Sequence, residues 1–223
     1  MVIITGASDG LGLALAKLIV SKGKRAISIS RTKPEDGRVE WIKTDLLDDE
    51  SIRQAVQSIE SEDYTISSLI NCAAITSYED IDSITEPELN KMFQVNVLAP
   101  ILLTSKLLGK IKKDEADILN IGATIALKSG YENQSVYSAT KWALRGFTQN
   151  LSDSLKSTNC RVSNIFLGGF NSKMHQKVTG EAIRDPENWM RVEDIAEQIY
   201  HIMNTPKSME VSEIVINRKA RRS

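Results

Sequence analysis

Apolar positions along this chain switch repeatedly between two patterns. Seven short, β-rich runs stand out: "VIIT" at 2–5, "AISIS" at 26–30, "VEWIK" at 39–43, "ISSLIN" at 66–71, "ADILNI" at 116–121, "RVSNIF" at 161–166 and "EIVIN" at 213–217. Each is too short for a helix and reads as a strand. Between them lie stretches of helical period: "LGLALAKLIVSKG", "DESIRQAVQSIES", a long segment from Thr85 to Lys112, another from about Ser135 to Lys156, and "VEDIAEQIYHIM". Gly23 falls where the first helix must stop, and Asp48 where it can cap the second. Strands alternating with helices imply a parallel sheet, because parallel neighbours need crossover connections and the helices are those crossovers. The pattern predicts an α/β fold: a doubly wound parallel sheet of about seven strands in a three-layer αβα Rossmann arrangement. Only Gly168 to Met190 lacks a clear period, and a loop of that length reads as a functional lid.

Composition narrows the function classes. The 223 residues are 41% hydrophobic and 26% charged, which suits one globular domain, 1–223, with a sizeable core. A net charge of −1 offers no general attraction to a phosphate backbone, so nucleic acid is not an expected partner, and the basic "NRKARRS" end reads as a solvated terminus. No secretory leader opens the sequence and no apolar run approaches the roughly 20 residues of a bilayer span, so no membrane partner is expected and a soluble, cytoplasmic protein is. Two cysteines, Cys72 and Cys160, are too few for a disulfide framework and have no metal-ligand spacing.

Chemistry concentrates in three short stretches. "TGASDGLG" joins the first strand to the first helix, with Gly6, Gly10 and Gly12 where backbone must turn tightly and approach a pyrophosphate at a helix N-terminus. The second strand ends in "SISRT", with Ser30 and Arg31 in place of the carboxylate that would take a ribose 2′-hydroxyl. A hydroxyl and a guanidinium suit a 2′-phosphate, so NADP(H) is expected over NAD(H), although Asp9 in the turn works against it. In "VYSATKWAL", Tyr137 and Lys141 are i and i+4 and share one helix face, where an ammonium can stabilise a phenolate.

With these motifs the sequence resembles the short-chain dehydrogenase/reductase family, single-domain type, over essentially the whole chain. Besides the glycine turn and "YSATK", "TDLLD" is similar to its adenine-contacting Asp at Asp45, "LINCAAI" to its Asn-Asn-Ala-Gly motif, and "FQVNVLAP" to the helix bearing its asparagine at Asn96. The resemblance implies an oxidoreductase moving hydride between nicotinamide and a small carbonyl or alcohol. Tyr137 would be the acid/base, Lys141 would lower its pKa and bond the nicotinamide ribose, and Asn96 would hold a water. Counting thirteen positions back from Tyr137 gives Thr124 as the polarising hydroxyl, whereas aligning "NIGATIAL" from Asn120 gives Ala123, which donates nothing. It implies cofactor contacts at Gly6, Ser8, Asp9, Gly10, Leu11, Gly12, Ser30, Arg31, Asp45, Leu46, Asn71, Ala73, Tyr137, Lys141 and Leu167, with Phe170 and Ser172 reaching carboxamide and phosphate from the "LGGFNSKM" loop. Cys72 reads as a small structural residue and His175 as a surface one. Apolar residues on the outward faces of the two long helices, Leu102, Leu107, Trp142 and Phe147, suggest self-association, and the resemblance implies a homodimer or homotetramer. The competing reading is an NADP-binding regulator or scaffold with weak or lost catalysis.

Overall fold

Five strands of continuous apolar character form the middle of one parallel sheet: β1 (Val2–Thr5), β2 (Ala26–Ser30), β4 (Ser68–Asn71), β5 (Asp117–Ala123) and β6 (Val162–Leu167). The half-exposed β3 (Glu40–Lys43) and β7 (Glu213–Ile216) close its two edges, giving the order β3-β2-β1-β4-β5-β6-β7. That division follows from burial: a central parallel strand is covered on both faces and stays apolar, while an edge strand keeps one side in water. The computed structural model describes residues 1–128 and 133–219; the last four residues of the basic terminus lie outside the described residues.

Helices cover both faces, completing the three-layer αβα Rossmann arrangement. On one face α1 (Gly10–Ser21) and α7 (Val192–Met203) bury Leu15, Ile19, Ile195 and Ile199 against Ile4, Ile121 and Ile165. On the other, α2 (Asp49–Ser61), α4 (Ala99–Lys113) and α5 (Ser135–Leu155) bury Ile52, Leu103, Leu107 and Leu155 against Ile3, Leu69 and Ile118. Both punctuation expectations hold. The Asp48 carboxylate accepts from Glu50 N at 2.9 Å, and Gly23, with φ 76°, follows the end of α1.

Four expectations are corrected. The segment from Thr85 is not one regular helix: α3 (Glu86–Phe93) passes through a π turn, Gln94–Leu98, before α4 begins, and Asn96 sits in that turn. The whole segment, Glu86–Lys113, is also long and apolar enough by length and composition to span a bilayer, which simple runs of apolar letters did not reveal; half of its apolar window is buried inside the fold. Of the four apolar residues assigned to outward faces, Leu107 is fully buried, Leu102 and Phe147 pack partly against the core, and only Trp142 is exposed, at 47%. Helical period alone cannot say which of two apolar stripes meets the sheet. The stretch from Gly168 to Met190 contains a helix, α6 (Lys173–Thr179), and a 3₁₀ turn at Pro186–Asn188. Seven residues are too few to display a period. Its ends are drawn together by a parallel bridge between Phe170 and Met190 and by Asn171 N donating to Met190 O at 2.9 Å.

Candidate active site

Strand order reverses between β1 and β4, and the crevice at such a switch point, beyond the C-terminal ends of the strands, is where this architecture takes its ligands. Thr5 ties the two strands there: its hydroxyl accepts from the N–H groups of both Cys72 and Ala73 at 3.0 Å. Gly6 follows with φ 72°, and a β-carbon on it would lie 2.9 Å from the Ala73 Cα. A β-carbon on Gly12 would lie 2.5 Å from the Gly6 carbonyl oxygen, so a side chain at Gly6 would push the turn away from the segment after β4, and one at Gly12 would push the helix off the turn. Ser8 and Gly10 are half-buried and Leu11 is buried beneath the turn. The Asp9 carboxylate caps α1, accepting from Gly10 N at 2.7 Å, and two cations of α6 face it: Lys177 at 2.9 Å and Lys173 at 3.5 Å. Burial opposes the charge on Asp9, but the bonds from Lys177 and Gly10 outweigh it and hold the carboxyl below its usual range. A glycine-lined helix N-terminus facing a crevice fits a dinucleotide pyrophosphate, although here the Asp9 carboxylate occupies its first N–H.

The predicted contact residues separate into those that face the crevice and those committed to the scaffold. Ser30 is buried; its hydroxyl donates to Thr32 O and pairs with Ser28 Oγ, both at 2.8 Å. As a phosphate donor it is already occupied. Arg31 beside it is exposed and has no ion pair among the described residues, whereas Arg38 is held by Asp36 through two bonds. Asp45 is half-buried, with Leu47 N bonded to its carboxylate at 3.0 Å, and Leu46 belongs to the core. Asn71 is buried, and its amide nitrogen donates to Asn120 Oδ1 at 2.7 Å, while Asn120 donates in turn to Thr148 Oγ1 at 2.8 Å. Its side chain joins strands to helix rather than facing the crevice. Leu167 ends β6 in register with Ala123. Ser172 caps α6, its hydroxyl accepting from Met174 N at 3.4 Å, and Phe170 forms the bridge to Met190.

The i, i+4 pair is assembled as the helix requires. Lys141 is only 3% exposed and its Nζ donates to the Ile121 carbonyl at 3.0 Å; it lies 5.6 Å from the Tyr137 ring centroid. Burial depresses the ammonium's pKa to about 8. Tyr137 is half-buried; desolvation of its phenol, with the Tyr78 phenol nearby, raises its pKa above the ordinary value. The phenol is therefore held protonated, and the lowering of its pKa by Lys141 that the resemblance implies is not seen. Asn96 is braced from both ends of its amide: Oδ1 accepts from Ile75 N at 2.9 Å, and Nδ2 donates to Ile75 O at 2.8 Å and to Thr140 Oγ1 at 3.1 Å. The π turn thereby fixes the loop after β4 against α5 next to Lys141, a placement consistent with such turns marking functional positions.

Ala123 closes β5 in extended conformation and Thr124 opens a 3₁₀ turn, Thr124–Ala126; both are half-buried. That turn is gripped by α5, with Trp142 donating to Ile125 O at 3.0 Å and Arg145 to Ala126 O at 3.2 Å. The Thr124 hydroxyl has no hydrogen-bond partner among the described residues. Cys72 is half-buried, and burial pushes its thiol up to about 12 despite the nearby Lys141, which makes it inert as a nucleophile. His175 is corrected from a surface residue: it is half-buried and its ring meets Tyr78 edge-on at 5.9 Å. Tyr78 itself was missed, because "ITSYED" carries no signal; only the tertiary fold brings it beside Tyr137 and the His175 ring.

The family model described as short chain dehydrogenase matches residues 1–182. Dehydrogenase/reductase SDR family member 11 of Mus musculus is 28% identical, the match covering 96% of this chain and 92% of that protein. Among solved structures, the closed form of serine dehydrogenase complexed with NADP+ superposes with a TM-score of 0.87 at 22% identity, covering 97% of this chain and 94% of the other. A 4-hydroxyisoleucine dehydrogenase complexed with NADH and succinate gives a TM-score of 0.83 at 22% identity, covering 98% of each chain. Those structures speak for the fold, and one holds each type of nicotinamide cofactor. Family match, switch-point crevice and Tyr-x-x-x-Lys helix agree: the chain belongs to the short-chain dehydrogenase family and is a nucleotide-binding oxidoreductase of that kind.

Proposed function

We propose that this protein is an NADPH-dependent carbonyl reductase, equally an alcohol dehydrogenase in reverse, acting on a small substrate through Tyr137, Lys141, Thr124 and Asn96. The observation that carries the reading is the pair on α5: a phenol without a committed scaffold role, one turn ahead of a buried ammonium. A bound reduced nicotinamide supplies the hydride. Tyr137, kept protonated by its surroundings, gives its proton to the carbonyl oxygen as that oxygen gains charge. Lys141, held by Ile121 O, places positive charge near the phenolate that remains and lowers the cost of forming it. Thr124 donates its hydroxyl to the same oxygen, a hydrogen bond of the oxyanion-stabilising type. Asn96 acts at one remove, bracing the loop after β4 and Thr140 so that Lys141 keeps its place.

NADP(H) is favoured over NAD(H) by Arg31, an exposed guanidinium just after β2 with no ion pair among the described residues, where a 2′-phosphate would lie. Self-association belongs to the same proposal and rests on two exposed apolar residues, Trp142 on α5 at 47% and Leu98 in the π turn before α4 at 45%. The test is NADPH oxidation across aldehydes, ketones, diketones and quinones, with NADH and Tyr137→Phe in parallel. Turnover that needs Tyr137 while the variant still binds cofactor supports the reductase. Normal turnover by Tyr137→Phe sinks the mechanism, and cofactor binding without turnover on any substrate favours the regulator.

A further inference from the structure

Asp9 and the lid lysines are separated by more than 160 residues yet meet at the mouth of the glycine turn. Three donors converge there on one carboxylate: Gly10 N at 2.7 Å, Lys177 Nζ at 2.9 Å and Lys173 Nζ at 3.5 Å. Lys173 and Lys177 are one turn apart on α6 and so reach from the same face. The other cations around the groove between α1 and the lid are already paired: Lys17 with Glu35, Arg38 with Asp36, and Arg191 with Glu193. Two ammoniums and a helix N–H form an anion seat of the composition that phosphate prefers, and the anion in it belongs to the chain itself. Both lysine side chains remain about two-thirds exposed, at 70% and 67%, so their pairing with Asp9 contributes little stability and is readily exchanged.

We propose that Lys173 and Lys177 are cofactor-binding residues that hold a phosphate of the dinucleotide, and that the Asp9 carboxylate is an internal stand-in which this phosphate displaces. Lid closure and cofactor binding are then linked through the same two lysines, and Asp9 weakens binding by competing for them. The charge unsuited to an NADP site becomes a placeholder. This rests on the dinucleotide-binding reading of the site.

The test measures dissociation constants of NADPH and NADH by nicotinamide fluorescence, at low and high salt, for three proteins: wild type, Asp9→Ser, and Lys173→Gln/Lys177→Gln. Serine keeps an N-cap acceptor without the charge. The double lysine variant is expected to bind about tenfold more weakly, with a shallower salt dependence, and Asp9→Ser several-fold more tightly. Equal weakening for both cofactors puts the seat at the pyrophosphate; weakening confined to NADPH puts it at the 2′-phosphate. Unchanged affinity in the double variant, or weaker binding by a folded Asp9→Ser protein, overturns the proposal. Wild type that binds neither cofactor would instead sink the reading beneath it. As a readout independent of cofactor, trypsin should cut the cofactor-free lid at Arg184 faster in Asp9→Ser than in wild type; equal rates count against Asp9 as the placeholder.

Discussion

Replacing Lys141 by methionine should stabilise the cofactor-free protein while removing its activity. Lys141 is 3% exposed, so solvent screens little of its charge, and the fall of its pKa from 10.5 to about 8 expresses what that burial costs. Converted at the usual rate, the penalty is about 3 kcal/mol whenever the lysine is charged in both folded and unfolded chains. The sign follows from proton binding. Below about pH 8 both states hold the proton and the penalty is complete; above that, the folded state gives up its proton first, the unfolded state binds more, and stability rises with pH. Between about pH 7 and about pH 9.5 this one group should add about 2 kcal/mol to wild-type stability. Methionine keeps most of the stem's volume without the charge, so its curve should lack that rise. Denaturant unfolding of both proteins across this range, with the difference between the curves taken so that other titrating groups cancel, is the assay. A flat difference, or a variant less stable than wild type near neutrality, would refute the claim that the ammonium is a buried cost tolerated for function.

Gly12→Ala should lose cofactor binding and destabilise the fold by about 2–4 kcal/mol, since its β-carbon would stand 2.5 Å from backbone at Gly6; calorimetry and cofactor titration check both. Asp117→Ala should cost about 3–5 kcal/mol in unfolding, because it strands the buried Arg161 guanidinium bonded to it at 2.6 Å; a loss near zero would show that water reaches the pair. Arg31→Ser should weaken NADPH by about tenfold and leave NADH unchanged, read as the ratio of the two dissociation constants. Thr124→Ala should lower kcat by 10²–10³-fold, about 3–4 kcal/mol, without changing cofactor affinity; unchanged kcat would remove its hydroxyl from the mechanism.

Local chemistry made much of this protein legible in its letters. β-rich runs alternating with helical period allow little but a covered parallel sheet, Asp48 and Gly23 mark helix ends through their own backbone chemistry, and Tyr137 and Lys141 share a face because a helix turns every 3.6 residues. Tertiary structure decided what depends on contacts distant in sequence. Whether Leu107 faces the sheet or the solvent depends on which side of α4 meets a strand, and Asn71 and Ser30 were withdrawn from the crevice by partners that no local pattern reveals. The π turn at Asn96, the approach of Tyr78 to Tyr137, and the meeting of Asp9 with Lys173 and Lys177 arise because long chain segments close onto one end of the sheet. Period and capping act within a few residues, so the sequence alone specified the strands and the longer helices with their chemistry; closure of the chain chose which side chains face one another across the crevice.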